Sequence, residues 1–560
     1  MSAAGAPQLP ADALVWLLTV QADRTYRWRS RDCTITVAGA TVAVRAGLRS
    51  DDVSEELDRD AAGSTIGVQL DPDGVGAMAR ALRYGTATLA ILPIRSGVAR
   101  VEDGLVVSGG AIGDIEADPD TGQITMALRP LPEADSADLA PASWTIDRNR
   151  WPMAYDQSLS AREPLVYGAP GSYQAQTATD YDYLHVPALT TYDYENQTWG
   201  ISTTEVLYRQ VYTTPATPAW AVDFAYDLDV IIQSGTIGVQ YVVPVYRAAR
   251  RVVIAHHVVD CTQVSIWTEH PTEGWISRVC AVTTSYDRQG NVVSMANLTD
   301  TGTLTDVEEN YAFRLTGAWW CAWDQGSASS GLLSDVLRLI LSRSSVPVDW
   351  QSIGAARAHL DQFTIGGYLD ESITPLEWAQ SRLPTYGCAL RWSADGVGVV
   401  VTAPIAEVLP VARLEVGRGC ARSAPLRVTP GTLDEAAVVW AASNWPNAKP
   451  QTTIVKREAV PIPKRAKVDA PEVWDDTTAV RVGRVALWRH GPEETIGIAL
   501  DAGRWWWLRA GDVVDVTDTA CGYTAGDDSR WMVVRAQHTD APKRNLLLRR
   551  VVVERVSVGT

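Results

Sequence analysis

Short runs of alternating apolar and polar residues dominate the first quarter of the chain. Asp32–Val37 and Ala40–Ala46 alternate on either side of Gly39, which predicts a β-hairpin. Thr65–Leu70 alternates again and stops at Asp71-Pro72-Asp73-Gly74, a turn sequence. Val75–Leu82 has the spacing of a short helix, and Thr86–Leu92 reads as a buried strand. Gly110–Leu128 reads as strand, turn at Asp118–Gly122, and strand. Val53–Asp58 is short and acidic. Arg129–Ala142, rich in Pro, Ala and acidic residues, reads as a linker.

The period changes in the third quarter. Ser334–Leu341 opens on a cap signal and continues with helical spacing. A weaker helical run follows Val348-Asp349, then the Gly-rich Ile365–Asp370. Thr374-Pro375-Leu376-Glu377-Trp378 starts a third helix, and Tyr386–Trp392 turns through Asp395-Gly396 into Val397–Val401. Between these regions lies an aromatic-rich stretch, with nine Tyr and Trp from Trp151 to Trp199. Val239–Tyr246, Arg251–Val259 and Val292–Met295 read as strands, the last fed by the loop Tyr286–Asn291. After residue 405, strands are expected at Ala436–Ala441, Ala510–Val516, Arg530–Arg535 and Asn545–Val556, with a polar turn at Ser443–Asn447. The predicted fold class is mainly β with a small α+β module, in several barrel or sandwich domains. The predicted boundaries are 1–145, 146–320, 321–405 and 406–560.

Four of these features carry a family resemblance. The helix-plus-hairpin run Leu332–Val401 resembles the small module of tail hub, or baseplate hub, proteins of long-tailed bacteriophages and gene transfer agents. The first segment resembles the first hub domain of baseplate proteins. Pro164–Gly171 is similar to a run in tail-tip proteins, and Ala510–Val516 resembles a step in their C-terminal barrels. The resemblance implies a structural virion protein, not an enzyme. It would form a homotrimeric ring at the distal end of the tail tube. Its implied partners are the distal tail protein, the tape-measure protein and tail-tip fibre or spike proteins. Its implied location is the virion tail, after synthesis in the host cytoplasm. The hub of a contractile-injection or secretion particle is an alternative, as is a carbohydrate-active or receptor-binding tail protein.

Composition narrows the classes. A net charge of −17 argues against specific nucleic-acid binding, which needs a basic footprint. No apolar run approaches about 18 residues, so no membrane anchor is expected. Ala13–Val20 lacks the flanks of a signal peptide. The seven cysteines form no CxxC pair and read as buried small hydrophobes.

Candidate chemistry is sparse. His256-His257 with Asp260-Cys261 has metal-ligand residue types, but neighbouring side chains on a strand face opposite ways. Asp180/Asp182 and Asp193/Glu195 sit beside tyrosines as in sugar clefts, and equally as solvated loop carboxylates. Neither supports a catalytic, metal or cofactor assignment. The residues expected at an interface are Tyr167 and Trp505, Trp506 and Trp507. Three consecutive tryptophans in a strand cannot all face one core, so one must meet another surface.

Overall fold

The computed structural model describes residues 11–168 apart from 50–52, 57–64, 70–73, 130–134, 148 and 151–159. Between 169 and 330 it describes 171–175, 178–179, 188–193, 198–201, 244–245, 251–259, 263–270, 274–287, 289–297 and 313–317. From 331 to 559 it omits 394–395, 405–408, 441–449, 459, 461, 474, 525–528, 540 and 552–555. The described architecture is mainly β and multi-sheet, with few helices.

The first segment is an eleven-stranded sheet with the helix Val75–Leu82 packed on it. Its central strand Ala13–Gln21 pairs with both Thr25–Arg29 and Thr86–Arg95. Leu14, Trp16, Leu18 and Val20 enter one core, while Val15 and Leu17 enter another. Burial on both faces explains the unbroken apolar run. The hairpin at Gly39 forms between Thr34–Val37 and Ala40–Thr41, with Ala38 and Gly39 both at positive φ.

The last segment contains a closed six-stranded barrel. Its order is Val513–Thr517, Ala412–Val416, Gly419–Thr429, Glu493–Asp501, Lys543–Arg550 and Arg530–His538, which pairs back to Val513–Thr517. Leu414, Ile496, Ile498, Val514, Trp531, Val533 and Leu548 fill it. Val53–Glu56, the acidic run of the first segment, leaves its own sheet and pairs antiparallel with Arg535–His538 of this barrel. A strand edge that would otherwise face solvent is thereby covered from within the chain.

The strands between residues 435 and 470 do not belong to that barrel. Glu435–Trp440, Gln451–Arg457, Arg465–Ala470 and Val556–Gly559 form a separate four-stranded sheet. The helix Asp476–His490, which the apolar pattern did not predict, lies on it. Val438, Trp440, Val473, Ala479, Val482 and Val485 join the same core as Leu333–Leu341, Trp378 and Tyr386. That core crosses the expected boundary at 405, so the third-quarter module and this sheet pack as one body.

The module has the expected elements, but Ser334 does not cap the first helix: that helix starts after Leu332 without a side-chain cap, and Ser334 Oγ donates to Asp361 instead. Its helices are Leu333–Leu341, Trp350–Leu360 and Pro375–Arg382. Asp349 caps the second, and Thr374 with Glu377 forms a capping box on the third. Cys388–Ser393 and Gly396–Val401 make the hairpin. The expected linker departs from its composition. Asp135 is buried and accepts from Ser344 Oγ (2.9 Å), Ser345 N (3.0 Å) and Leu376 N (3.3 Å). Leu139 and Ala140 are also buried, so residues 135–140 form a docked strap.

In the second segment a seven-stranded sheet includes Arg251–Ala255, Gly274–Tyr286 and Val292–Asn297. Of Val239–Tyr246, Pro244–Val245 is a described strand. The polar turn Ser443–Asn447 lies outside the described residues.

Leu165–Gly168 pairs with Gly366–Leu369, two hundred residues away. Gly168 adopts φ +59, and a Cβ there would collide with the Ile365 carbonyl. Gly168→Ala is expected to lower stability by about 2 kcal/mol or more, since the left-handed backbone alone costs roughly 1–2 kcal/mol. Urea denaturation of the full chain reads the loss; an unchanged midpoint would contradict this account of the ladder.

Candidate functional site

The Leu165–Gly168 ladder carries Tyr167 into the centre of the molecule. Its side chain is 1% exposed and crosses Gly367, where a Cβ would lie 2.6 Å from the Tyr167 hydroxyl. The hydroxyl donates to Glu472 Oε1 at 2.9 Å, and Arg382 Nε donates to the same oxygen at 2.6 Å. The Glu472 carbonyl accepts from Gly366 N at 3.0 Å. Trp378 meets the Tyr167 ring edge-on at 5.6 Å between centroids. Burial pushes the Tyr167 and Tyr386 phenols well above their ordinary pKa, and the neighbouring Glu472 charge adds to this. One carboxylate thus receives donors from the second and third segments.

A second junction surrounds the hairpin residue Trp392. Arg509 Nη2 donates to the Trp392 carbonyl at 3.0 Å, and Arg391 Nη1 donates to the Ala510 carbonyl at 3.3 Å. A Cβ on Gly109 of the first sheet would lie 3.5 Å from the Trp392 ring. The module therefore touches both the first sheet and the C-terminal barrel.

The tryptophan triplet forms a third junction. Ala502–Trp505 is a short helix rather than the expected strand, and the Trp505 and Trp507 rings lie 6.1 Å apart between centroids. Trp506 is 2% exposed and packs in the core of the first sheet. Trp505 packs against the barrel core, and Trp507 touches both. Arg544, itself buried, donates to the carbonyls of Trp505 (3.0 Å), Trp506 (2.7 Å) and Leu508 (2.9 Å). Tyr167 and Trp506 were expected to anchor an interface. The structure gives both of them contacts inside the chain, joining its own segments, because each is almost fully buried there.

The histidine pair is structural. His256 stacks on Trp144 at 4.0 Å and bonds the Glu163 carboxylate. Buried Glu163 and Asp287 both pair with buried Arg150, at 2.8 and 2.7 Å. Asp287 also accepts from Asn291 N at 2.8 Å, which closes the loop expected at Tyr286–Asn291. Charges this deep are tolerated because each is matched. His257 accepts from Val166 N at 3.2 Å and donates to the Val258 carbonyl at 2.9 Å, which requires the neutral ring. Asp260 and Cys261 lie outside the described residues.

So do Asp180, Asp182 and Glu195, and Asp193 ends a strand whose side chains are not described. Among the described residues, no three His, Cys, Asp or Glu side chains group as metal ligands. Burial pushes the Cys420 thiol up to about 11, away from the thiolate that ligation or attack requires. No helix among the described residues is long and apolar enough to cross a membrane. Sequence reasoning missed Glu472, Arg382 and Trp392, which carry no motif and acquire their roles from contacts distant in sequence.

No family model matches the chain, and no curated protein matches it. Solved structures show distant likenesses. A chain of the native gene transfer agent virion aligns over 55% of this chain and 79% of its own, at 12% identity and a TM-score of 0.37. The 43 kDa tail protein of prophage MuSo2 from Shewanella oneidensis aligns over 52% and 94%, at 11% identity and a TM-score of 0.27. A prophage tail protein from Listeria monocytogenes aligns over 51% and 87%, at 11% identity and a TM-score of 0.24. Likenesses this loose assign nothing to this chain by themselves.

Tyr167→Phe removes one donor from a buried carboxylate while preserving the ring. It is expected to cost about 1–3 kcal/mol, measured by urea denaturation. No loss would show that the hydroxyl is dispensable to the junction.

Burial holds His257 down to about 4, against an ordinary 6.5. The unfolded chain therefore takes up a proton that the folded chain refuses between those values. Stability from this group is complete above pH 6.5 and is lost as pH falls towards 4. His257→Gln is expected to reduce the fall in urea midpoint between pH 7 and pH 5; an unaltered pH dependence would contradict the assignment.

Proposed function

We propose that this chain is a structural component of a phage-type virion tail, and more specifically a tail hub. In this reading, copies assemble as a ring, with three subunits, at the distal end of the tail tube. The ring joins the tube to tail-tip proteins, with the distal tail protein and the tape-measure protein as neighbours. The reading assigns the chain no bond-making chemistry.

The observation that carries this reading is the convergence of separated sequence signatures on one interlocked body. Pro164–Gly171 contributes the strand that pairs with Gly366–Leu369 of the helical module. The hairpin of that module binds Arg509 and Ala510, at the entrance to the strand Val513–Thr517. The regions that resemble hub proteins are therefore in mutual contact. A component that transmits force between a tube and a tip needs domains fixed relative to one another, and buried inter-segment contacts supply that.

Immunogold labelling of tailed particles released by the producing culture tests this reading. Antibodies against the chain should label particles at the tail end opposite the head. Particles carrying no label there, with the protein recovered wholly apart from them, would contradict it.

A further inference from the structure

The first sheet carries a knob and a cleft at opposite ends of the same strand, Thr86–Arg95. The knob is Tyr84, two residues before that strand begins. It is 84% exposed, and its φ of 65° is uncommon for an aromatic residue. The Arg83 guanidinium lies over its ring at 4.8 Å. The base of the knob is firm: Gly85 N donates to the Leu82 carbonyl (3.0 Å), and the Gly85 carbonyl accepts from Ile112 N (2.8 Å). An exposed ring held in a costly backbone conformation is shaped to meet a complement.

The cleft lies beside the far end of the strand, where the first sheet meets the tryptophan triplet. It has a volume of about 440 Å³ and is lined by Arg95, Glu102, Asp103, Leu105, Trp506 and Trp507, with the Gly104 backbone between them. That is within the range of small-ligand pockets and leaves room for an aromatic side chain. Asp103 pairs with Arg95 at 3.9 Å and Glu102 accepts from Ala38 N, so two carboxylates and one guanidinium leave the lining with one negative charge in excess. Trp506 is almost fully buried, and its Nε1–H has no acceptor among the described residues. The cleft therefore presents aromatic walls and negative charge. The knob presents an aromatic ring, positive charge and a phenolic oxygen.

We propose that the cleft receives Tyr84 and Arg83 of a second copy of this chain. Arg83 meets Glu102 and Asp103, and Tyr84 packs against Trp507. The ten-residue strand separates the two patches by roughly 30 Å. A contact between unlike patches is head-to-tail, and it builds a ring when the rotation closes. The inference rests on the ring reading above and specifies which surfaces make the ring.

Sedimentation velocity of the full-length chain over a concentration series tests it, using Tyr84→Ala, Arg83→Glu, Asp103→Arg and the double variant Arg83→Glu/Asp103→Arg. Tyr84 and Arg83 are exposed, so unchanged thermal transitions confirm folding. Self-association of the native chain should weaken about tenfold or more in each single variant. The double variant, with its charges exchanged, should recover to within about threefold of the native chain. Single variants that associate normally, a double variant no better than either single, or a native chain that stays monomeric throughout would each overturn the inference. The first two outcomes leave the ring reading intact, because association would then use another surface. Failure of the tail reading itself appears separately, as absence of label from the tails.

Discussion

The Glu472 carboxylate is the contact on which the arrangement of segments most depends. Tyr167 reaches it from the second segment and Arg382 from the helical module, while Glu472 itself precedes the long helix of the last segment. The two donors are not equivalent. Arg382 is 39% exposed along its side chain, so water screens it and its contribution is on the order of 1 kcal/mol. The Tyr167 hydroxyl sits in the dry interior, where an unmet polar group is more costly. The tyrosine therefore sets the register of Leu165–Gly168 against Gly366–Leu369, and the arginine completes the site from outside.

Other junctions repeat the same logic with different chemistry. The strand Val53–Glu56 extends the first segment into the C-terminal barrel through backbone hydrogen bonds. The tryptophan triplet fills the seam between those two bodies, and buried Arg544 gathers the carbonyls around it. Trp392 links the module to both. A multi-barrel chain with separate cores would hinge at its linkers. Here the expected linker is pinned through Asp135 to the turn after one helix and the start of another. Connected in this way, the bodies transmit displacement rather than absorb it, which suits the proposed place between a tube and a tip.

Local structure was largely legible in the sequence. Val75–Leu82 and Leu333–Leu341 carried helical period, Thr374-Pro375 marked a helix start, and Gly39 and Asp395-Gly396 marked hairpins, because these signals act over a few residues. The helix Asp476–His490 was obscured by its threonines, valines and central glycine, which favour other conformations. Its signal was present in the Asp475 cap and in the buried spacing Ala479, Val482, Val485 and Ala486. Gly483 is explained by packing, since a Cβ there would press on Val455. The junctions were not legible. Nothing near Glu472 indicates that a tyrosine three hundred residues earlier will donate to it. The tryptophan triplet implied that one ring meets a further surface, but only the turn of Ala502–Trp505 decides which ring faces which core.

Hydrogen exchange of the intact chain, followed by mass spectrometry, tests the locking of these segments most directly. If they form one body, amides in 165–168, 366–369 and 478–486 become exposed together, through a shared opening, and protection falls in parallel with added denaturant. Rapid, independent exchange of 165–168 while 366–369 and 478–486 stay protected would contradict the account.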